Sequence, residues 1–129
     1  MDDISEAKRY LQNAKTFLSE KARKEEGYYI DKKYVKLAGH AAYSGVLVAL
    51  DSLLGTKKKG RKSVEWYKEE ISKMDKKLPL YFNDAYETLH LAMGYDGNAN
   101  AKVSQAGLEL ADNIISWVVN RKHLTDGIK

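Results

Sequence analysis

From the start of the chain, Ile4, Ala7, Leu11, Ala14 and Leu18 recur at steps of three and four, the spacing of one face of a helix. Tyr10 and Phe17 widen that stripe, while Lys8, Gln12, Lys15 and Glu20 fall on other sides. Asp3 reads as the N-cap, with Glu6 three residues later as its capping-box partner. Gly27 reads as the stop, which predicts a helix over about 3–25 and an apolar connector at Tyr28-Tyr29-Ile30. A second helix is predicted over 31–54, opened by Asp31 and closed by Gly55. It carries two stripes, one through Val35, Ala38, Ala42, Val46, Ala49 and Leu53, the other through Tyr43, Leu47, Leu50 and Leu54. A helix apolar on more than one side is the central helix of a bundle. The small residues Ala38, Gly39, Ala42, Gly45 and Ala49 admit a close neighbour. The uncharged run from Ala41 to Leu50 is shorter than the ~20 residues of a membrane span, so no membrane is expected.

Ser63 is a good N-cap for a third helix, predicted over 63–77, with Val64, Tyr67, Ile71, Met74 and Leu78 on its apolar side. Pro79 interrupts, yet Phe82, Ala85, Leu89 and Ala92 continue the spacing. This predicts either one kinked helix or, preferably, two helices meeting near Leu78, the second over 79–94. Gly94-Tyr95-Asp96-Gly97-Asn98 is the strongest turn signal. A last helix over about 100–122 follows, with Val103, Ala106, Leu110, Ile114 and Trp117 inward. No period-two alternation of useful length and no repeat occurs. The expected fold is an all-α, antiparallel, up-and-down four-helix bundle with one rod split near Pro79, a single domain over 1–129.

Composition narrows the chemistry. At 129 residues, 43% hydrophobic and 31% charged, the chain has the make-up of one folded domain rather than a disordered one. The absence of cysteine excludes disulfides, Cys-ligated metals and thiol nucleophiles. The acidic opening Met1-Asp2-Asp3-Ile4-Ser5-Glu6 is unlike a secretory signal, which makes the cytoplasm the expected location. The net charge of +4 comes from one segment: 22 basic residues less the five in Lys57-Lys58-Lys59-Gly60-Arg61-Lys62 leave 17 against 18 acidic. That segment reads as a solvated interhelical loop, or as a set of phosphate contacts made by Lys57, Lys58, Lys59, Arg61 and Lys62.

The histidines are His40, His90 and His123, and no two have the spacing of a paired metal site on one helix. Glu87 and His90 form a lone Glu-x-x-His pair where a di-iron bundle needs two, so neither metal nor cofactor is expected. His40 lies in the apolar second helix beside Tyr43. It reads either as a neutral core imidazole bonded to a neighbouring helix or, with Tyr43 and His90, as part of a polar pocket or interface. Asp51 is placed to cap or to pair with a basic neighbour. No phosphate-binding glycine loop or nucleophile elbow is present, so an enzyme is unsupported.

The helix Ala7-Lys8-Arg9-Tyr10-Leu11-Gln12-Asn13-Ala14, the small-residue helix Leu37-Ala38-Gly39-His40-Ala41-Ala42-Tyr43-Ser44-Gly45-Val46-Leu47, the Gly94-Tyr95-Asp96-Gly97 turn and the closing Ala111-Asp112-Asn113-Ile114-Ile115-Ser116-Trp117-Val118 helix together resemble the HEPN domains. The likeness is closest to a HEPN-like family of uncharacterised bacterial domains, and it spans residues 4–122. It implies a helical bundle, commonly dimeric, that is either a metal-independent RNase or a partner or substrate-binding module of a small nucleotidyltransferase. The RNases carry Arg, four to six residues, then His. None of Arg9, Arg23, Arg61 and Arg121 has a histidine at that distance, and Gly94 stands where related modules often have Arg. No catalytic residue carries over. The expectation is a non-catalytic interaction module, a homodimer or a protein's partner; the alternative is a divergent RNase or nucleic-acid binder using the 57–62 loop. On an α-helical wheel of residues 82–95, with Phe82, Ala85, Leu89 and Met93 inward, Leu91 points away from the core and Tyr95 lies near Leu91's outward direction, which marks both as dimer contacts.

Overall fold

The computed structural model of the protein describes residues 2–55 and 62–127. Five helices and a small hairpin make up these residues: α1 (Asp3–Thr16), β1 (Lys24–Glu25), β2 (Tyr28–Tyr29), α2 (Lys32–Leu54), α3 (Val64–Ser72), α4 (Leu78–Ala85) and α5 (Ala101–Gly127). Two stretches of π-helix extend the rods: Phe17–Lys21 continues α1, and Tyr86–Tyr95 continues α4.

The N-cap of α1 is Asp2, one residue earlier than the expected Asp3. Its carboxylate accepts the Ser5 N–H at 2.7 Å, and that bond holds its pKa below the usual value. The first rod also ends earlier than 25. Arg23, not Gly27, takes the left-handed backbone after its end, at φ 52°. Gly27 sits instead at the tip of the β1–β2 hairpin, where Glu26 (φ 50°) and Gly27 (φ 85°) supply the two positive φ angles of a type I′ turn. The stretch Tyr28-Tyr29-Ile30 is therefore strand and connector together. Tyr29 N–H bonds to the Ala99 carbonyl and Ala101 N–H to that of Gly27, which ties the hairpin to the start of α5.

Asp31 accepts the Lys33 N–H at the start of α2, and Gly55, at φ 57°, closes it with its N–H on the Asp51 carbonyl. This helix is long and apolar enough to cross a membrane, unlike its uncharged core run. It lies against α1, α5 and the π-helix. A Cβ on Gly45 would stand 2.8 Å from the Ala7 carbonyl oxygen of α1. One on Gly39 would stand within 2.7 Å of Leu89 O, Gly94 N and Met93 Cβ of the π-helix. The ring contact Phe17–Tyr34 at one end and Gly45 against Ala7 at the other make α1 and α2 antiparallel. Tyr43 against Phe82, with Gly39 against Gly94, does the same for α2 and the α4 rod. At the far end Lys122 of α5 hydrogen-bonds to Ser52 of α2.

Ser63 caps α3 through the Trp66 N–H, but the helix stops at Ser72 rather than near 77. The Asp75 carboxylate then accepts the N–H groups of Lys77 and Leu78 (2.9 and 2.7 Å), and Pro79 occupies the first turn of α4. Two helices thus meet near Leu78. The last helix begins at Ala101, its Lys102 N–H held by Asn100, and runs past 122 to Gly127. One hydrophobic cluster joins Leu11 and Leu18 of the first rod, Val35, Val46 and Leu50 of α2, Phe82 and Leu89 of the third, and Ile114 and Val118 of α5.

Candidate functional site

The outward face of α2, between α1 and the α4 rod, is left as an open groove of about 860 Å³. His40, Tyr43 and His90, singled out in the sequence, all line it, together with Tyr86. The His90 ring stacks on Tyr86 at 5.3 Å, leans on Tyr43 at 5.1 Å and meets the His40 ring edge-on at 6.2 Å, centre to centre. His40 is exposed and not a core imidazole. Its ring lies over the backbone of Gly94, where a Cβ would come within 3.1 Å of Cε1 and Nδ1. Glycine at that position is what seats the imidazole.

The opposite end of the groove is polar. Asp51, one of the α2 residues facing it, accepts the Tyr67 hydroxyl at 2.8 Å and the Lys62 ammonium at 2.9 Å, both on Oδ1. Tyr67 is buried beside this carboxylate. Desolvation first, then the hydrogen bond and charge of Asp51, push its pKa well above the usual phenol value. The Lys62 side chain is nine-tenths buried, its Nζ 5.6 Å from the centre of the Trp66 ring and 5.7 Å from that of Tyr67. Lys62, expected as a phosphate contact, thus pairs with a carboxylate of its own chain. Lys57, Lys58, Lys59 and Arg61 lie outside the described residues.

The π-helix changes where the rest of the third rod points. Its i→i+5 bonding, seen in the Asp96 N–H on the Leu91 carbonyl, gives about 4.4 residues per turn, or about 82° per residue instead of the α-helix's 100°. On an α wheel Tyr86 and Tyr95 stand about 180° apart; on the π wheel they stand about 20° apart. His90 and Leu91 fall to either side, so all four occupy an arc of roughly 80°. Leu91 and Tyr95, the latter 74% exposed, thus share a face with the groove's rings. Exposed Leu37 lies one α2 turn from His40 and extends the patch. An α wheel instead puts Leu91 and Tyr95 about 140° and 180° from Tyr86, and Tyr95 about 140° from His90. The readable trace of the π-helix is Ala85, Leu89 and Met93, all fully buried and spaced by four twice in succession.

Glu87 is exposed and accepts a hydrogen bond from Asn83, and among the described residues no three metal-ligating side chains gather. The chemistry of the groove is stacking, hydrogen bonding and a local ion pair, suited to binding.

A helical protein with an aromatic groove along its central helix is the class these features define. Residues 2–120 match the model of a family described as a domain of unknown function (DUF5618), and the chain belongs to that family. A solved structure of a protein of unknown function from Dyadobacter fermentans is similar to it at 50% identity, covering 92% of this chain and 94% of that one, with a TM-score of 0.85. No curated protein matches the chain.

Proposed function

We propose that the protein is a non-catalytic, HEPN-like interaction module of the cytoplasm that docks another protein chain, in the first instance a second copy of itself, through the face made by Leu37, His40, Tyr86, His90, Leu91 and Tyr95. The π-helix carries this reading, because it turns Leu91 and Tyr95 toward Tyr86, and Tyr95 toward His90, and so joins scattered surface hydrophobes into one patch. The antiparallel order of α1, α2, the α4 rod and α5 supports a four-helix, up-and-down bundle in which α3 and α4 share the third rod. HEPN-like modules of this architecture also serve as partners of small nucleotidyltransferases, which makes such an enzyme the second protein this face would take. The missing Arg-to-His spacing favours a binding role over RNA cleavage.

Light scattering of the purified chain at micromolar concentration tests this. A mass of twice the chain is expected, falling to a single chain in the double variant Leu91→Asp, Tyr95→Ser with its melting temperature unchanged. A specific dimer would bury on the order of 1,200 Å² or more. Failure of the wild-type chain to self-associate would remove the homodimer. Metal-independent cleavage of structured RNA, lost in His40→Ala, would replace the binding role with an enzymatic one.

A further inference from the structure

At the polar end of the groove the two short bonds to Asp51 fall on the same oxygen. Oδ2 takes no donor among the described residues, and the side chain is 35% exposed. Lys62 is only 9% exposed, and one of its three N–H groups meets Asp51. Among the described residues it also lies near the Trp66 and Tyr67 rings, which attract a cation but are weak acceptors. Among the described residues, then, Asp51 keeps an oxygen to accept and Lys62 keeps N–H groups to donate, their charges cancelling. A simple anion placed here is repelled by Asp51 and a simple cation by Lys62. A zwitterion is repelled by neither, since each of its charges meets an opposite one.

The groove floor beyond the pair is apolar. Leu47 lies one helical turn along α2 from Asp51 and Tyr43 two turns, at about 5.4 Å per turn, with Val64 of α3 alongside. We propose that this end of the groove binds a free α-amino acid with a large apolar or aromatic side chain. Its ammonium sits on Asp51 Oδ2, its carboxylate on Lys62 Nζ, and its side chain lies over Leu47 toward Tyr43. Tyr67 is a positioning residue that holds the Asp51 carboxylate from below. The site uses Asp51, Lys62 and Leu47, none of which belongs to the docking face, so it stands or falls separately from dimerisation.

Saturation-transfer NMR and calorimetry on the whole protein with L-phenylalanine and L-leucine test it. Saturable binding in the millimolar range or tighter is expected, with N-acetyl-L-phenylalanine and L-phenylalanine methyl ester each weaker by at least about tenfold. Glycine, which keeps the head group and lacks the side chain, is expected to bind more weakly still. Asp51→Asn and Lys62→Met should each abolish the signal while retaining the helical spectrum; should either fail to fold, the analogue series on the wild-type chain decides alone. Absence of saturation by both amino acids up to about 10 mM would overturn the proposal. So would equal binding of the ester and N-acetyl forms, which would reduce the site to an unselective apolar groove.

Discussion

Gly39, Gly45 and Gly94 show how little room the central helix leaves. A methyl group on Gly39 meets backbone on the π-helix and has nowhere to go. Gly39→Ala is expected to destabilise the fold by ~1–3 kcal/mol in chemical denaturation. Gly27→Ala meets nothing within 4 Å and should suffer only the strain of its φ of 85°, roughly 1 kcal/mol. The closeness was legible in the run of small residues, whereas the identity of the neighbours was not. Gly94 reads as turn punctuation in the sequence, and nothing local says that an imidazole from 54 positions earlier rests on it. Asp51 was readable as a residue seeking a basic partner, and Lys62 was readable as basic; only the fold, which brings Lys62 and Tyr67 back to Asp51, joins them. The Tyr67 phenol beside them is an acid with a raised pKa in the folded state. Its proton leaves the unfolded chain first, near the ordinary value of 10.0. Its contribution to stability is thus complete below about pH 10 and declines as pH rises toward the folded value. Urea unfolding across that range should show the decline in the wild-type chain and a smaller one in Tyr67→Phe, which also loses about 1 kcal/mol near neutrality with the hydrogen bond.

At the level of elements, caps were easier to read than lengths. Ser63, Asp31 and Gly55 act where their chemistry suggests, because a cap needs only its own neighbours. The end of α3 depends on Asp75, whose carboxylate takes two N–H groups and begins the next helix before the apolar stripe runs out. Asp75→Ala should cost ~1 kcal/mol and loosen the α3–α4 corner, visible as faster hydrogen exchange at Lys77 and Leu78. The β1–β2 hairpin escaped notice because two-residue strands are too short to alternate, and its turn uses Glu26-Gly27 instead of the commoner Asn-Gly. The π-helix escaped because an apolar stripe is ordinarily read at 100° per residue. Read at 100° per residue, Leu91 and Tyr95 fall on the far side of the rod from Tyr86.

For the whole molecule, the helical class followed from the spacing of apolar residues along nearly every segment, since a bundle is written one helix at a time. The groove did not, because it is a gap between rods: α2 is apolar enough to be covered on every side, yet α1 and the α4 rod leave one of its faces open. Membership of a family of unknown function places the burden of a functional reading on that face. The chain has no cysteine, so single cysteines can be placed at will. Leu91→Cys tests the docking face most directly, with Gln12→Cys, exposed on α1, as the control. Under mild oxidation at micromolar concentration, rapid disulfide-linked dimer in Leu91→Cys and only slow, collisional dimer in Gln12→Cys is the expected result. Equal, slow cross-linking at both positions would contradict the account of this face as the protein's docking surface.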